Sequence, residues 1–520
     1  MTGAELTVRV LKRHGVDTVF GLPGAAVLSL YDALYLDGEI RHILCTHEEY
    51  AGLAAGGYAR ASGRPGVVLA TSGPGATNLV TALADAYMDS VPVVAITGNV
   101  PSTELGKDSF QEIDIAGVTM PITKHNMIVK SADELEDSLV TAFEVAMSGR
   151  HGPVLVDITS DCFDAEVTDK QLIAHISPTP EFDIGEAVKL ISESRSPIIC
   201  AGGGVIASNA SGALAKLAEM LDCPVAVTNM GVGSFPASHP RYAGRFGMQC
   251  RTSLAELLRR SDLLIACGLR FNERLRANLA AYAEDTHILH IDIDRAEISK
   301  VVEAYSHIRG DAREVLEALC AALDPRKSDE SFTQTPVHCD STTPGKVFEY
   351  FNSLNDDPLI YTTDVGLHQL WAVDMLRVDR PRSFITSGGL GAMGFGLPAA
   401  IGACAAFPAS RAVVFSGDGS FSMSANELIT ALREGMQITV VLFNNASLGM
   451  VRYWQHIRCK DRFYQTSFDR SIDFSHTAAA CGARYYRIGP GDDPTAVLNE
   501  ALRGGTPSVV ECITDRNEYI

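Results

Sequence analysis

Short apolar runs alternate with amphipathic segments along most of the chain. In the first third, the apolar runs lie at 18–21, 67–70, 93–97 and 154–158, and helical patterns lie between them. Such alternation is typical of a parallel sheet with helices on both faces. It returns in the middle of the chain and again from residue 360 onward. We therefore predict an α/β fold with three doubly wound parallel-sheet domains.

Two polar, aperiodic stretches divide this pattern. The first covers 161–177 and is followed by Pro-Thr-Pro, and the second covers 325–341 and is charged and rich in Ser and Thr. Stretches of this composition are typical of linkers. We therefore expect domains at 1–162, 181–325 and 342–520.

The most informative pattern lies between residues 412 and 454. An apolar run at 412–415 stops at Gly417-Asp418-Gly419, an amphipathic segment follows at 425–433, and a second apolar run stops at Asn444-Asn445. This order predicts a strand–helix–strand unit of a parallel sheet. Both polar turns then fall at the carboxyl ends of their strands, where open α/β sheets bind ligands.

The residues of these two turns suit a metal-bound diphosphate. Asp418 and Asn445 offer the oxygen ligands that Mg²⁺ prefers, and the backbone carbonyl of Ser447 is a third candidate. Gly417 and Gly419 allow a diphosphate to approach the backbone at a helix N-terminus. A tight turn with a capping Asp explains Gly-Asp-Gly alone equally well, but it does not explain the spacing to Asn-Asn.

Composition and charge exclude several classes of protein. The net charge of −20 argues against binding of nucleic acid or anionic membranes. No apolar run approaches the roughly 18–20 residues of a membrane-spanning helix, and residues 1–20 mix charges into a helical pattern, unlike a signal peptide. The twelve cysteines are scattered singly. We therefore expect buried thiols in a cytoplasmic protein rather than a zinc site or a disulfide framework.

The turn motif identifies a family. Gly-Asp-Gly at 417–419, Asn-Asn at 444–445 and the continuation ASLGMVRYW at 446–454 resemble the thiamine diphosphate (ThDP) motif of the acetolactate synthase (acetohydroxyacid synthase) group. The resemblance implies ThDP and Mg²⁺ as cofactors, and pyrimidine-binding, central and diphosphate-binding domains in that order. It implies Asp418, Asn445 and Ser447 as metal ligands. It also places these residues at the cofactor: Gly417, Asp418, Gly419, Ser420, Asn445, Ser447, Leu448, Gly449 and Met450.

A second match concerns a carboxyl group. His47-Glu48-Glu49 is similar to the group's His-Glu-Gln, which implies that Glu48 activates ThDP through a hydrogen bond to its aminopyrimidine ring. The aminopyrimidine can then take the proton from C2 of the thiazolium ring. A partly buried carboxyl without a countercharge has a raised pKa, which suits this role. For Glu49 we expect only a cap or helix-dipole role.

Further turns are also similar to those of the group. Taken singly, the residues of each turn are equally well explained as ordinary turn residues or as core packing. Phe110 and Gln111 are implied to line the substrate side and to face the reacting centre. Met393 is implied to wedge between the cofactor rings, and Trp454 to select the second substrate. The implied cofactor-binding residues in these turns are Pro23, Gly24, Ser72, Gly75, Asn78, His368, Gly391 and Met393, and the implied substrate residues include Ala25.

The chain also departs from the group's pattern. Ala25 stands where a second Gly is usual, Leu367 stands where a Gln helps to hold the diphosphate, and Thr-Ser-Asp at 159–161 stands where a Lys is common. In the central domain, 230–236, 268–271 and 292–294 are similar to FAD-bearing members, whereas 247–251 and 270–274 are altered. FAD is therefore an expected further ligand, with adenine nucleotide, CoA or no ligand as the alternatives.

The resemblance implies decarboxylation of pyruvate and carboligation of the resulting enamine to a second 2-oxo acid. It also implies a homodimer or homotetramer with active sites between subunits, and a regulatory subunit as a further partner. The departures favour two alternatives on the same scaffold, namely a simple 2-oxo acid decarboxylase or a carboligase with a different acceptor. A non-catalytic homologue that binds a nucleotide or a partner is a third alternative, against which Glu48, Asp418 and Asn445 argue.

Overall fold

The computed structural model describes residues 1–175, 181–247, 252–327, 332, 334, 337, 339–354, 358–468 and 472–519. The predicted linker residues 176–180, several residues of the predicted second linker and the altered residues 248–251 lie outside the described residues. Within the described ranges, no helix is both long and apolar enough to cross a membrane.

The first sheet is parallel throughout and is buried on both faces. Its strands are β1 (Thr18–Gly21), β2 (Arg41–Leu44), β3 (Gly66–Ala70), β4 (Val93–Asn99), β5 (His125–Val129) and β6 (Val154–Thr159), in the order β2-β1-β3-β4-β6-β5. The helices around it are α1 (Gly3–Arg13), α2 (Leu28–Asp37), α3 (Glu48–Ser62), α4 (Pro74–Asn78), α5 (Val80–Asp89), α6 (Ile115–Thr119), α7 (Leu135–Met147) and α8 (Ser160–Asp164). Every residue of β3, β4 and β6 is buried, which explains their near-continuous apolar sequence.

The second sheet has the same layered construction. Its strands are β7 (Pro197–Ala201), β8 (Val225–Val227), β9 (Tyr242–Arg245), β10 (Leu263–Cys267), β11 (His287–Asp292) and β12 (Ser306–Arg309), in the order β12-β11-β10-β7-β8-β9. Its helices are α9 (Gly185–Glu193), α10 (Gly203–Ala207), α11 (Ser211–Leu221), α12 (Thr252–Arg260), α13 (Glu273–Tyr282) and α14 (Ala312–Ala322).

The third sheet repeats the strand order of the first. Its strands are β13 (Leu359–Thr363), β14 (Phe384–Thr386), β15 (Arg411–Gly417), β16 (Ile438–Asn444), β17 (Arg484–Ile488) and β18 (Ser508–Ile513), in the order β14-β13-β15-β16-β18-β17. Its helices are α15 (Thr343–Ser353), α16 (Leu367–Met375), α17 (Gly396–Ala406), α18 (Asp418–Ser424), α19 (Glu427–Arg433), α20 (Gly449–Cys459), α21 (Phe474–Ala480) and α22 (Thr495–Arg503).

The predicted fold class is confirmed, because the described chain contains three six-stranded parallel sheets with interleaved helices. The predicted helix at 425–433 was incomplete. Helix α18 already begins at Asp418, directly after β15, and α19 follows from Glu427. The exact limits of the three domains stay a prediction.

Helices α3 and α17 join the first sheet's layer to the third. A Cβ added at Gly57 would lie 2.3 Å from the carbonyl oxygen of Ala399, and one at Gly402 would lie 1.9 Å from that of Ala54. Glycine therefore permits the two helix backbones to approach closely. This contact holds α3, with Glu48 at its first residue, against the third sheet's layer.

Candidate active site

The carboxyl edge of the third sheet brings the two predicted polar turns together. Strands β15 and β16 are neighbours, and Gly417 is in register with Phe443. The turn that begins at Asp418 therefore lies beside the turn at 445–447. Only 4% of Asp418 is exposed, so its carboxyl group is enclosed by protein.

The side-chain oxygens of these turns converge. The Ser447 N–H donates to Asp418 Oδ2 at 3.2 Å and to Asn445 Oδ1 at 3.0 Å. The other carboxylate oxygen of Asp418 accepts the Gly419 N–H at 3.0 Å. Burial raises the pKa of Asp418 to about 6, which a bound cation would reverse.

This donor set suits Mg²⁺. Among the described residues, no group of three or more His, Cys, Asp or Glu side chains could hold a metal ion. The candidate site instead combines a carboxylate, an amide oxygen and the predicted backbone carbonyl of Ser447. Such hard oxygen donors, completed by phosphate oxygens and water, are what Mg²⁺ prefers.

His368 supplies an unsatisfied polar atom in the same cleft. The side chain is buried, and its Nε2 atom has no hydrogen-bond partner among the residues described. Its ring is packed against the backbone, since a Cβ added at Gly417 would lie 2.9 Å from Nδ1 and one at Gly366 would lie 2.7 Å from Cε1. Burial lowers the pKa of His368 to about 3, so the ring is neutral. A phosphate group in the cleft would give this nitrogen a partner.

The rest of the cleft is largely apolar. Leu448 and Met393 lie over Gly419, where an added Cβ would be 2.8 and 3.6 Å from their side chains. Leu367 packs over Gly449, where an added Cβ would lie 2.7 Å from its Cδ1 atom. The predicted residues that line the cleft are His368, Met393, Gly417, Asp418, Gly419, Ser420, Asn445, Ser447, Leu448, Gly449 and Met450. Gly391 lies in the loop before Met393 and has a positive φ of 75°.

Glu48 lies in a second cluster, at the carboxyl edge of the first sheet. It is the first residue of α3 and is 7% exposed, and the Asn78 amide donates to its Oε2 atom at 2.9 Å. His47 rather than Glu49 caps the helix, because its Nδ1 atom accepts the Glu49 N–H at 3.1 Å. Glu49 remains in the first turn, where a carboxylate interacts favourably with the helix dipole.

The predicted turns at 21–26 and 71–78 close around Glu48. A Cβ added at Gly75 would lie 3.3 Å from Glu48 Oε1 and 2.8 Å from Thr71 Cγ2, and one at Gly24 would lie 2.4 Å from Thr71 Cβ. Thr71 also accepts the Ala26 N–H at 3.2 Å. Thr71 therefore connects the two turns, a role that its sequence context did not reveal.

The other residues predicted for the site near Glu48 differ in solvent exposure. Gln111 has a positive φ of 61° and packs its backbone on Gly73, where an added Cβ would lie 2.8 Å from its carbonyl oxygen. Ser72 is buried, whereas Pro23 and Ala25 are exposed.

The two aromatic residues predicted for the substrate side are not enclosed by the chain itself. Phe110 is 86% exposed and Trp454 is 36% exposed. Trp454 lies on α20 with the Arg458 guanidinium 4.5 Å from its ring centroid. Both aromatic side chains are therefore open to a substrate or to another chain.

The two clusters are separate within one chain. None of the described residues that line the cleft at Asp418 belongs to 1–162. The carboxyl group of Glu48 and the oxygens of Asp418 and Asn445 thus form two half-sites.

Three ranges of the chain match the three domain models of one protein family. Residues 1–118 match the N-terminal TPP binding domain of thiamine pyrophosphate enzymes, 184–319 match their central domain, and 364–512 match their C-terminal TPP binding domain. Thiamine pyrophosphate is another name for ThDP.

Similar proteins show to which group of thiamine pyrophosphate enzymes the chain belongs. The chain is 42% identical to the acetolactate synthase large subunit of Mycobacterium tuberculosis, covering all of this chain and 89% of the relative. It is 43% identical to the acetolactate synthase large subunit of Corynebacterium glutamicum (100% and 88% covered) and 39% identical to that of isozyme 2 of Escherichia coli (100% and 97%). The chain belongs to the acetolactate synthase family of thiamine pyrophosphate enzymes.

The loop at 387–395 is held by the first sheet's layer, a contact that the sequence analysis did not predict. Residues 387–395 carry Gly391 and Met393, and Asp89 of α5 accepts the Gly388 and Gly389 N–H groups at 3.0 and 2.7 Å. Asp85 accepts the Ser387 hydroxyl at 2.5 Å. Arg60 lies between the two carboxylates, at 2.7 Å from Asp85 and 3.0 Å from Asp89. These three buried side chains hold the loop, and no local sequence pattern indicates it.

Asp364 holds the other end of the same loop. One carboxylate oxygen accepts the Gly394 and Phe395 N–H groups at 2.8 and 3.2 Å, and the other accepts the Ser416 hydroxyl at 3.0 Å. Burial raises the pKa of Asp364 to about 6. The loop that presents Met393 to the cleft is therefore fixed at both ends.

A cavity of about 460 Å³ lies where the second sheet's layer meets the other two. Residues from all three layers line it, for example Arg150, Asp292 and Gly388. Of the segments that resemble FAD-bearing members, the lining residues are Met230, Gly268, Leu269, Arg270, Phe271, Asp292 and Ile293. Gly203 and Gly204 line it at the N-terminus of α10, and all residues of the altered segment 270–274 line it as well.

Proposed function

We propose that this protein uses ThDP and Mg²⁺ to decarboxylate pyruvate and to join the remaining two-carbon unit to a second 2-oxo acid, as an acetolactate synthase. The single observation that carries the proposal is the convergence of the Asp418 and Asn445 oxygens beside the unpartnered, buried Nε2 of His368. The names of the relatives support the reaction, and the matched domains support the cofactor.

Residues of the third sheet's edge would hold the charged end of the cofactor. Asp418, Asn445 and the Ser447 carbonyl would bind Mg²⁺. A phosphate anion beside His368 Nε2 would favour protonation of the ring, and the protonated Nε2 would donate to a phosphate oxygen. Positions 417, 419 and 449 favour glycine, because a Cβ added at any of them would lie within 3.0 Å of a neighbouring side chain. Met393 would support the cofactor between its two ends.

Glu48 would act at the other end of the cofactor. When bound, ThDP supplies a carbon nucleophile and an electron sink for the loss of CO₂. Glu48 would share a proton with the aminopyrimidine ring, and Asn78 orients the carboxyl group for this through its hydrogen bond at 2.9 Å. Gln111, Phe110 and Trp454 would orient the acceptor, with Ala25 beside the reacting centre.

We propose that the half-sites are completed in a homodimer, which can assemble further into a homotetramer. The separation of Glu48 from the cleft supports this arrangement, as do exposed apolar side chains near both half-sites, such as Phe110 and Met423. Mixing Glu48→Gln chains with Asp418→Ala chains tests it. Random heterodimers keep one intact site, so about one quarter of the wild-type activity should return. No recovery in mixed dimers would contradict shared sites.

For the central cavity we propose FAD, with Gly203 and Gly204 near its phosphates. Release of flavin from the purified protein by acid, detected by fluorescence, tests this. Release of an adenine nucleotide or CoA instead would assign the cavity to that ligand. We also propose a regulatory subunit, because the relatives are named large subunits, and a cytoplasmic location, because thiols such as Cys45 and Cys267 are buried and free.

The reaction is tested by incubating the protein with ThDP, Mg²⁺ and pyruvate alone. Acetolactate formed in proportion to CO₂ would support the synthase. CO₂ with acetaldehyde would identify a 2-oxo acid decarboxylase, the alternative that Leu367 and Ala25 favour because they alter the cofactor and substrate sides. Absence of both products would mean that pyruvate is not the donor, and a carboligase for other substrates would then be the better assignment.

A further inference from the structure

The turn that precedes Glu48 is held by a carboxyl group from α19, which belongs to the third sheet's layer. Glu427, in α19, is fully buried, and its Oε1 atom accepts both the Thr46 N–H at 2.8 Å and the Thr46 hydroxyl at 2.5 Å. Its Oε2 atom is buried without a partner among the described residues. A buried carboxyl group is costly unless it is hydrogen-bonded. The two Thr46 donors offset the burial of Glu427, with smaller contributions from Thr430 and Arg433.

Two further residues of α19 hold the same stretch. The Thr430 hydroxyl donates to the Leu44 carbonyl at 3.3 Å, and the Arg433 guanidinium donates to the same oxygen. Leu44 ends β2, which lies at the edge of the first sheet and has a neighbouring strand on one side only. The stretch 44–46 is therefore held by α19 on one side and by β1 on the other, where the Cys45 N–H donates to the Gly21 carbonyl at 3.3 Å.

We propose that Glu427 is a positioning residue for Glu48. Thr46 is two residues before Glu48, and α3 begins at Glu48, so fixing Thr46 fixes the direction in which the helix presents the carboxyl group. The Glu48–Asn78 hydrogen bond requires this placement. The inference rests on the proposed role of Glu48 in activating ThDP.

The chain offers a matched control. Glu434 is at the end of the same helix and also reaches the first layer, where it pairs with Arg41 at 2.7 Å. Its side chain is 15% exposed, and it does not hydrogen-bond to Thr46. Glu434 also pairs with Arg433 at 3.6 Å. Glu434→Gln therefore weakens ion pairs between and within the same two layers but leaves both hydrogen bonds from Thr46 to Glu427 in place.

The experiment compares Glu427→Ala, Glu427→Gln, Glu434→Gln and Glu48→Gln with the wild type. The measurements are the affinity for ThDP with Mg²⁺, the rate of hydrogen–deuterium exchange at C2 of bound ThDP, and amide exchange of residues 44–50 without ThDP. Glu427→Ala should slow C2 exchange at least tenfold and speed up amide exchange at 44–50, while ThDP affinity stays within threefold. Glu427→Gln keeps an acceptor oxygen and should restore both rates, and Glu434→Gln should change neither.

The outcomes separate the two proposals. If Glu48→Gln slows C2 exchange and Glu427→Ala does not, the positioning role is wrong and the role of Glu48 stands. If Glu48→Gln leaves C2 exchange unchanged, the proposed function of Glu48 is wrong and the positioning role falls with it. Should Glu427→Ala fail to fold, Thr46→Val removes only the hydroxyl donor; it should still slow C2 exchange, and Thr46→Ser should restore the rate. Unchanged exchange in Thr46→Val would then overturn the proposal.

Discussion

Replacement of Asp89 by Asn tests whether the loop at 387–395 depends on the first sheet's layer. The carboxylate of Asp89 is fully buried and accepts two loop N–H groups and one Arg60 N–H. Asparagine offers one acceptor oxygen and no charge, so at least one loop N–H loses its partner, and Asp85 becomes the one charged partner of Arg60 in this cluster. A lost hydrogen bond to a charged group costs about 1.5–3 kcal/mol. We expect a total destabilisation of about 3 kcal/mol, because Asp85 still compensates Arg60.

Part of this loss should reach the cofactor site, since the loop carries Gly391 and Met393. We expect Asp89→Asn to weaken ThDP binding about tenfold, which corresponds to about 1.4 kcal/mol. The assay is a titration of ThDP in the presence of Mg²⁺, followed by the change in tryptophan fluorescence, with the melting temperature measured in parallel.

Asp169→Asn is a control with the same local chemistry. Arg13 lies between Glu136 and Asp169, at 2.7 and 2.9 Å, just as Arg60 lies between Asp85 and Asp89. The control removes one of two carboxylates from an arginine but touches no residue of the loop. It should lower the melting temperature and leave ThDP affinity unchanged. Equal ThDP affinities in Asp89→Asn and Asp169→Asn would refute the reasoning.

Three further predictions concern single side chains. Asp418→Ala should abolish Mg²⁺-dependent ThDP binding; binding that stays Mg²⁺-dependent in a titration would argue against the metal role. Leu367→Gln should tighten ThDP binding up to about tenfold by adding a donor near a charged phosphate, and an unchanged or weaker affinity would count against a diphosphate there. Burial raises the pKa of Asp157 to about 6, so its ionisation costs the folded state about 3 kcal/mol between pH 4 and 7. Asp157→Asn should therefore raise the melting temperature more at pH 7.5 than at pH 4.5, and an equal change at both would disprove this.

Local sequence patterns were sufficient to predict that two polar turns meet at the carboxyl edge of the third sheet. The apolar runs that became β15 and β16 are buried along almost their whole length, so their ends are marked by the polar turns that follow. Asp418 and Asn445 come directly after the last strand residues and lie on one edge, because the strands are parallel neighbours. The proximity of their oxygens therefore follows from periodicity and handedness alone.

The start of α18 was missed for a physical reason. Gly-Asp-Gly-Ser is a sequence typical of a turn, and the helix pattern of apolar residues begins only later. In the structure, Gly417 ends its strand in an extended conformation, and the Ser422 hydroxyl donates to the Asp418 carbonyl at 2.5 Å within the new helix. The enclosure of this segment at the sheet edge stabilises a helix that its residues alone do not favour.

Contacts between distant segments were beyond the reach of local patterns. Glu427 and Thr46 are 381 positions apart, and Asp89 and Gly389 are 300 apart. Neither carboxylate lies in a motif that distinguishes it from a solvated charge. The docking of α3 on α17, through closely approaching glycines, helps to bring these pairs within hydrogen-bonding distance.

The same docking bears on our proposal that the active sites are shared between two chains. Glycines 57 and 402 allow α3 to dock closely on α17, which sets the position of the helix relative to the third sheet, while Glu427 holds the turn that precedes Glu48. The helices α18 and α19 then hold Asp418 at one end and the turn before Glu48 at the other. A single chain has both sets of chemical groups, but no described residue of 1–162 lines the cleft at Asp418. In the dimer that we propose, the Glu48 edge of a second chain would dock against the Asp418 edge.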